Sequence, residues 1–516
     1  MMNFEDARSE LMKLQKKTRA YEHAMSLIYY DGVTTAPKGT AQNRAVSLSV
    51  LSEEVYKIST CEETVQLLEY LDSCIHPAEG ISCPEGFDPD NEEGRRLSRM
   101  VYLLLKDIRN MQKIPMKEYV EYQELLVLAD DAWHKAKETS DFPLFLPFLE
   151  KIFDTQKRFA GFCAPGKDPY DYWLNEFEPG IDQSTCDAFF DTLKSRLVPL
   201  IREISQAGQP DDSFMHGDFP EYKQDRLSHY LMDLIGLDPD HVGFATTEHP
   251  FTECLGSHLD ERITTNYKRD NFAASMYSVI HEGGHALYDT GSAADLAFTV
   301  LDCGVSMGIH ESQSRFYENL LGRSKGFTEY VLPKIRELFP DAMKDVTADQ
   351  FYRAVNRSEP SLIRTEADEV TYCLHVMIRY ELEKNVLAGN LKVKDLPAEW
   401  NRLYKEYLGL DVPDDRHGVL QDSHWSGGMI GYFPSYALGS AYGAAFLRKM
   451  KETVDVDSCL SRGDLAPINE WNRTNIWQYG SLYTPKELLD RVLGEPFDPK
   501  YYMEYLEKKY GEIYNI

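Results

Sequence analysis

Paired cysteines are missing from this 516-residue sequence. Its nine cysteines are scattered from Cys61 to Cys459, odd in number, with no Cys-x-x-Cys among them. That excludes a disulfide framework and a cysteine zinc site as organising features. No run of about 18 apolar residues occurs. The first residues, "MMNFEDARSELMKLQKKTRAYEHAM", are dense in charge and have no apolar h-region, so neither a membrane span nor a signal peptide is expected. Positive charge is scarce: 55 Lys and Arg against 84 Asp and Glu leave a formal net charge of −29. Such a surface repels nucleic-acid phosphate and anionic lipid, which discounts both as partners. A reduced, cytoplasmic setting is the expectation. Internal repeats and low-complexity linkers are absent as well.

What is present is helical periodicity over most of the length. Segments 95–113 and 116–138 carry apolar residues at i, i+3, i+4 spacing. Similar patterns recur near 3–29, 41–72, 183–206, 345–357 and 368–388. Loop composition marks 76–94 and 207–221. Only "LDERITTNY" (259–267) and "LAFTVLD" (296–302) read as strands. The expectation is a mainly α catalytic unit spanning 1–516, large enough for two lobes around a cleft. Its parts are a helical N-terminal lobe over 1–240, a site-bearing region over 241–440, and C-terminal helices over 441–516.

Between the two candidate strands lies "SVIHEGGHALYD" (278–289). Asp270 and Asn271 are N-cap types for a helix over 272–289. His281 and His285, four residues apart, fall about 40° apart on one face and can converge on one ion. Glu282 lies about 100° further round, placed to reach a water on that ion without ligating it. Two adjacent glycines each cost about 1 kcal/mol of helix propensity relative to alanine, so they need a reason. Gly284, beside the histidines, is expected to leave room for a substrate backbone, and Gly283, on the far side, to let another helix approach.

A third ligand is required. The positions three and six after His285 are Tyr288 and Gly291, which closes the pattern needing glycine and histidine there. A glutamate from a following helix remains, and 304–324 reads as that helix. Glu311 is the first candidate, 26 residues past His285. Glu318, seven further on, competes; otherwise it reads as a solvated or ion-paired surface residue.

"HEGGH" followed by "HESQS" at this spacing resembles the carboxypeptidase Taq family of metal-dependent carboxypeptidases. "HPF" (249–251), "DERIT" (260–264), "IRTEAD" (363–368), "GVLQDSHW" (418–425) and "GYFPSYALG" (431–439) agree with it. So does "YYDGVTTAPKGTAQNRAVSLSVLSE" near the start, with Tyr30 where the family usually has Trp. The resemblance implies a two-lobed helical fold with a long central groove and a small β-sheet beside the site. It also implies a homodimer and one divalent metal, zinc with cobalt as a substitute. His281, His285 and Glu311 would ligate the metal and Glu282 would serve as general base and acid.

The substrates implied are peptides with a free C-terminus, shortened one residue at a time by a metal-activated water. An oxyanion donor is needed beside the metal. "HWSGGMIGYFPSY" is similar to a pattern of helical zinc oligopeptidases, which assigns that role to His424 and Tyr436 with Tyr432 in reserve. A guanidinium suits the substrate carboxylate; Arg364 is the first choice and Arg262 the second, unless neighbouring acids such as Asp260 and Asp368 occupy them. His249, ahead of Pro250, is read as a substrate contact or a support for the ligands. An endo-acting oligopeptidase and a catalytically silent helical binding protein are the alternative readings.

Overall fold

The structure is a computed structural model that describes residues 3–79 and 82–516. Helices dominate it. Four of them, Phe4–Thr34, Ala41–Thr60, Glu62–Ile75 and Glu92–Lys113, form an N-terminal layer. That layer has its own apolar core, in which Leu11, Leu68 and Leu71 are fully buried. The remaining helices share a second, larger core that runs from Tyr122 to Tyr514 and surrounds the HEGGH segment. The expected single helix over 41–72 is two. Cys61 takes extended backbone (φ −63°, ψ 156°), and Thr64 Oγ1 donates to Ile58 O across the break.

Three short strands make one sheet: Val242–Thr246, Thr252–Cys254 and Glu261–Thr265. The last is central, parallel to the first and antiparallel to the second. The central strand is the one read from "LDERITTNY"; of its partners, "VGFAT" has glycine and alanine where alternation needs polar residues, and "TEC" is only three residues long. The second expected strand, 296–302, does not exist. Phe298 has φ +65°, outside the extended region, and the segment has no strand beside it. Leu296 and Leu301 instead insert into the N-terminal core. Its backbone is satisfied by side chains of the first helix: Gln15 Oε1 accepts from Val300 N, and Arg19 donates to Thr299 O.

Helix Phe272–Thr290 follows the sheet, with Asn271 Oδ1 accepting from Ala273 N as its N-cap. Helix Met307–Arg315, capped by Ser306, runs into a π-helix over Phe316–Leu321, so the expected helix 304–324 changes its winding part-way. Glycines bring these elements together. A Cβ on Gly283 would fall 2.4 Å from Ile235 Cδ1 of helix Glu221–Ile235, which is the helix approach expected there. A Cβ on Gly284 would lie 2.7 Å from Gln313 O and 2.8 Å from Ser314 Cα. Gly284 therefore does not make room for substrate; it lets the helix carrying Glu311 press against the helix carrying the histidines. From the other side helix Pro434–Met450 does the same, since a Cβ on Gly439 would sit 2.7 Å from Glu311 Cβ.

Backbone atoms cannot move aside as a flexible side-chain end can. Gly284→Ala is accordingly expected to destabilise the fold by about 1–3 kcal/mol through overpacking, in spite of alanine's gain of about 1 kcal/mol in helix propensity. Gly161, exposed in helix Phe142–Cys163 with nothing near its would-be Cβ, is the control: Gly161→Ala should stabilise by up to about 1 kcal/mol. Urea unfolding of the two variants checks the opposite signs.

Candidate metal centre

On helix Phe272–Thr290 the two histidines are one turn apart, with ring centroids separated by 5.1 Å. Glu311, on the helix that Gly284 admits, points its Oε2 at both: 3.8 Å from His281 Nε2 and 3.5 Å from His285 Nε2. Among the described residues these three form the group that can hold a metal ion, their ligand atoms all within 4.8 Å of one another. Two imidazoles and one carboxylate are a donor set suited to a divalent ion with an open position. The atoms facing away from this centre are already bonded, so the rings are held in place. His281 Nδ1 lies 2.9 Å from Glu318 Oε2, and His285 Nδ1 lies 2.6 Å from His310 Nδ1.

Glu318 is therefore outside the group of described residues that can hold a metal ion, and it is not a surface residue. The π-helix turns it inward, where its side chain is 13% exposed and paired with Arg315 and Arg323. Arg315 is the residue that sequence reasoning missed. Its Nε donates to Glu311 Oε1 at 2.8 Å and its Nη1 to Glu318 Oε2 at 3.1 Å, while its guanidinium lies 4.1 Å from the centre of the Tyr372 ring. One cation thus joins both glutamates from the helix turn between them. Its spacing, i+4 from Glu311 and i−3 from Glu318, was available in the sequence. The N-terminus of the Glu311 helix is anchored by buried Glu178, which accepts from Gly308 N at 2.9 Å. Burial pushes the Glu178 carboxyl up to about 7 against that bond.

Burial acts on every group here, and the partners decide the outcome. It would raise Glu311, yet Arg315 and the two histidines hold that carboxyl well below its usual range. It pushes His285 down to about 4, with His310 and His281 adding to it and Glu311 opposing. It pulls His281 down too, but the bond to Glu318 and the charges of Glu311 and Glu282 carry that ring above its ordinary value. Glu282 is 7% exposed, and burial raises its carboxyl despite His281 and the Thr252 hydroxyl, which donates to Oε2 at 2.7 Å. Thr252 belongs to the edge strand, which gives the small sheet its place in the site.

Tyr436 stands three residues before Gly439, one turn along the helix that touches Glu311. Its hydroxyl is 2.9 Å from His424 Nε2, and Tyr432 packs edge-on against its ring at 5.0 Å. Burial, assisted by Arg364 and Arg379 and opposed by Asp422, lowers His424 to about 4. Arg364 is 5% exposed; its Nη1 donates to Tyr372 and its Nε to Asp422 Oδ1. Its acidic partner is thus Asp422, not Asp368, whose carboxylate caps Ser358 and Thr371. The Arg364 guanidinium lies 4.8 Å from the centre of the Tyr436 ring. Arg262 is elsewhere: on the central strand, paired with Asp260 and laid over Gly243. It lines an open depression with Tyr30, Asp240 and His241. His249 is exposed in the connection between the two edge strands. Tyr30 packs edge-on to Phe251.

Residues 10–510 match the family described as Carboxypeptidase Taq (M32) metallopeptidase. The chain belongs to this family. It is 39% identical over 507 residues to Carboxypeptidase 1 of Bacillus subtilis, covering 98% of both chains. It is 35% identical to Thermostable carboxypeptidase 1 of Thermus thermophilus, over 99% of this chain and 100% of the other. The solved M32 carboxypeptidase of Deinococcus radiodurans superposes with a TM-score of 0.93 at 34% identity, over 99% and 100% of the two chains. The protein is accordingly a metallocarboxypeptidase, a peptide hydrolase whose family implies a divalent metal ion.

The bonding pattern separates the two glutamates. Glu311→Ala is expected to remove most bound metal, whereas Glu318→Gln, which still offers an oxygen to His281 Nδ1, should retain stoichiometric metal with weakened affinity of about 10-fold or more. Elemental analysis after dialysis, with chelator competition, checks the difference.

Proposed function

We propose that this enzyme releases single residues from the free C-termini of peptides, with His281, His285 and Glu311 holding one zinc ion, for which cobalt can substitute. The observation that carries this reading is the convergence of those three ligand atoms with Glu282 buried beside them. A zinc ion bound there supplies Lewis-acid polarisation and lowers the pKa of a water towards about 7. Glu282 takes the proton of the attacking water. Its Oε2 is committed to Thr252, so Oε1 is the atom that receives the proton and then passes it to the leaving amine. A carboxyl raised by burial is suited to giving that proton back.

Tyr436 binds the substrate carbonyl and stabilises its developing charge, with His424 holding its hydroxyl in place. A neutral His424 donating from Nε2 to the phenol oxygen leaves the Tyr436 hydroxyl proton free to point at substrate. Tyr432 supports the Tyr436 ring. Arg364 receives the substrate carboxylate; both arginines already have a carboxylate partner, Asp422 and Asp260, and closeness to the Tyr436 ring favours Arg364 over Arg262, which lies over Gly243. Arg262 and His249 are left to limit or contact the far part of the peptide. The reading extends to a homodimer of single catalytic units spanning 1–516, on the family resemblance, and to a reduced cytoplasmic setting, which nine free cysteines favour.

Chelation is expected to abolish hydrolysis, and zinc or cobalt to restore it. Glu282→Gln should keep its metal and lose about 10²–10⁴-fold in turnover; wild-type turnover in that variant refutes the assigned base. The C-terminal preference has its own test. An amide cannot replace the charge-assisted bonds of a carboxylate with a guanidinium, so C-terminal amidation should suppress cleavage far more than N-terminal acetylation. Arg364→Ala should shrink the free-acid to amide ratio of kcat/KM more than Arg262→Ala does. Equal cleavage of free and amidated peptides by the native enzyme would instead establish the endo-acting reading.

A further inference from the structure

Both histidines of the HEGGH motif aim Nε2 at the ion site, and their Nδ1 atoms have unlike partners. His281 meets a carboxylate, Glu318, so its Nδ1 can only donate and its Nε2 is left bare. His285 meets another imidazole, His310, at 2.6 Å between Nδ1 atoms. An imidazole can accept or donate, so His285 acquires the tautomer needed for metal binding only if something fixes His310 as the acceptor. Asp289 is placed to do that. Its Oδ1 and Oδ2 lie 3.0 and 3.1 Å from His310 Nε2, and the residue is buried at the end of the histidine helix. With its Nε2 proton donated to Asp289, a neutral His310 has a bare Nδ1, which accepts the Nδ1 proton of His285. His285 Nε2 is then unprotonated on the side where Glu311 waits at 3.5 Å.

The His310 ring is also held in position. A Cβ on Gly304 would fall 2.6 Å from His310 Cδ2 and 2.9 Å from Tyr288 Cε1, and the Tyr288 ring packs against the imidazole at 5.1 Å and 66°. Tyr288 is itself fixed by its hydroxyl, which accepts from Val305 N at 3.0 Å. Ring swing and ring flip are both restricted, so the acceptor stays on the His285 side.

We propose that Asp289 and His310 are a positioning pair that keeps His285 in its Nδ1–H tautomer and so presents Nε2 to the divalent ion. This rests on the reading of His281, His285 and Glu311 as the ion site. His310→Phe keeps a packed ring and removes the acceptor; His310→Asn sets an amide oxygen near the lost Nδ1. Zinc affinity measured by competition with a chromophoric chelator should fall about 10–100-fold in the Phe variant and recover most of that loss in the Asn variant. In metal-free wild-type protein labelled with ¹⁵N-histidine, His285 should carry its proton on Nδ1 and His310 on Nε2; this measurement stands even if a variant fails to fold. Wild-type zinc affinity in His310→Phe, equal losses in the Phe and Asn variants, or a proton on His285 Nε2 would overturn the pair. A wild-type protein that takes up no zinc would overturn the ion-site reading and the pair with it.

Discussion

Everything about the metal centre depends on three helices meeting at closer range than side chains allow. The helix bearing Glu311 is held between the histidine helix, which yields at Gly284, and helix Pro434–Met450, which yields at Gly439. Helices usually pack with axes roughly 8–10 Å apart; the missing Cβ atoms here permit backbone-to-side-chain contact instead. Glu311 Oε2 thereby comes within reach of two Nε2 atoms on another helix, and the third helix carries Tyr436 three residues before Gly439. A ligand set drawn from different helices is only as well placed as the helix contacts that carry it.

Close approach brings carboxylates into the interior, and those charges need partners. Arg315 bonds both Glu311 and Glu318 and rests on Tyr372, and Arg323 adds a second cation on Glu318. The π-helix after Arg315 turns Glu318 back toward His281. π-turns cost backbone regularity and recur at functional sites; here the distorted turn puts an acceptor on a histidine nitrogen. The two imidazoles are thus each bonded at Nδ1 by a partner inside the protein.

The opposite wall is built on a separate buried frame. Asp422 receives bonds from both Arg364 and Arg379, and is held well below the usual carboxylate range by those cations although burial opposes them. Two residues later comes His424. Glu383, fully buried, accepts from Trp425 Nε1, Gly431 N and Tyr170, tying down the loop between His424 and Tyr432. Helix Tyr372–Leu387 supplies Glu383 and Arg379 and, through Tyr372, touches both Arg315 and Arg364. The side that carries Glu311 and the side that carries Arg364 therefore share one helix as their support.

Local signals sufficed for the features that depend on nearby residues. The histidine helix, its Asn271 cap, the face shared by His281 and His285, and the helices over 95–113 and 116–138 are all written in spacing of less than one heptad. Gly283 was legible as a helix contact because its cost demanded a neighbour. Tertiary structure decided whatever depends on a partner distant in the chain. Gly284 faces Gln313 and Ser314 rather than substrate, and 296–302 gives its apolar residues to the N-terminal core instead of a strand. Glu318 meets His281, 37 residues away, and Arg364 pairs with Asp422, 58 residues away. No periodicity encodes such choices, because the free energy of burying a charge or a bare backbone is set by the group that arrives opposite it, and only folding brings that group there.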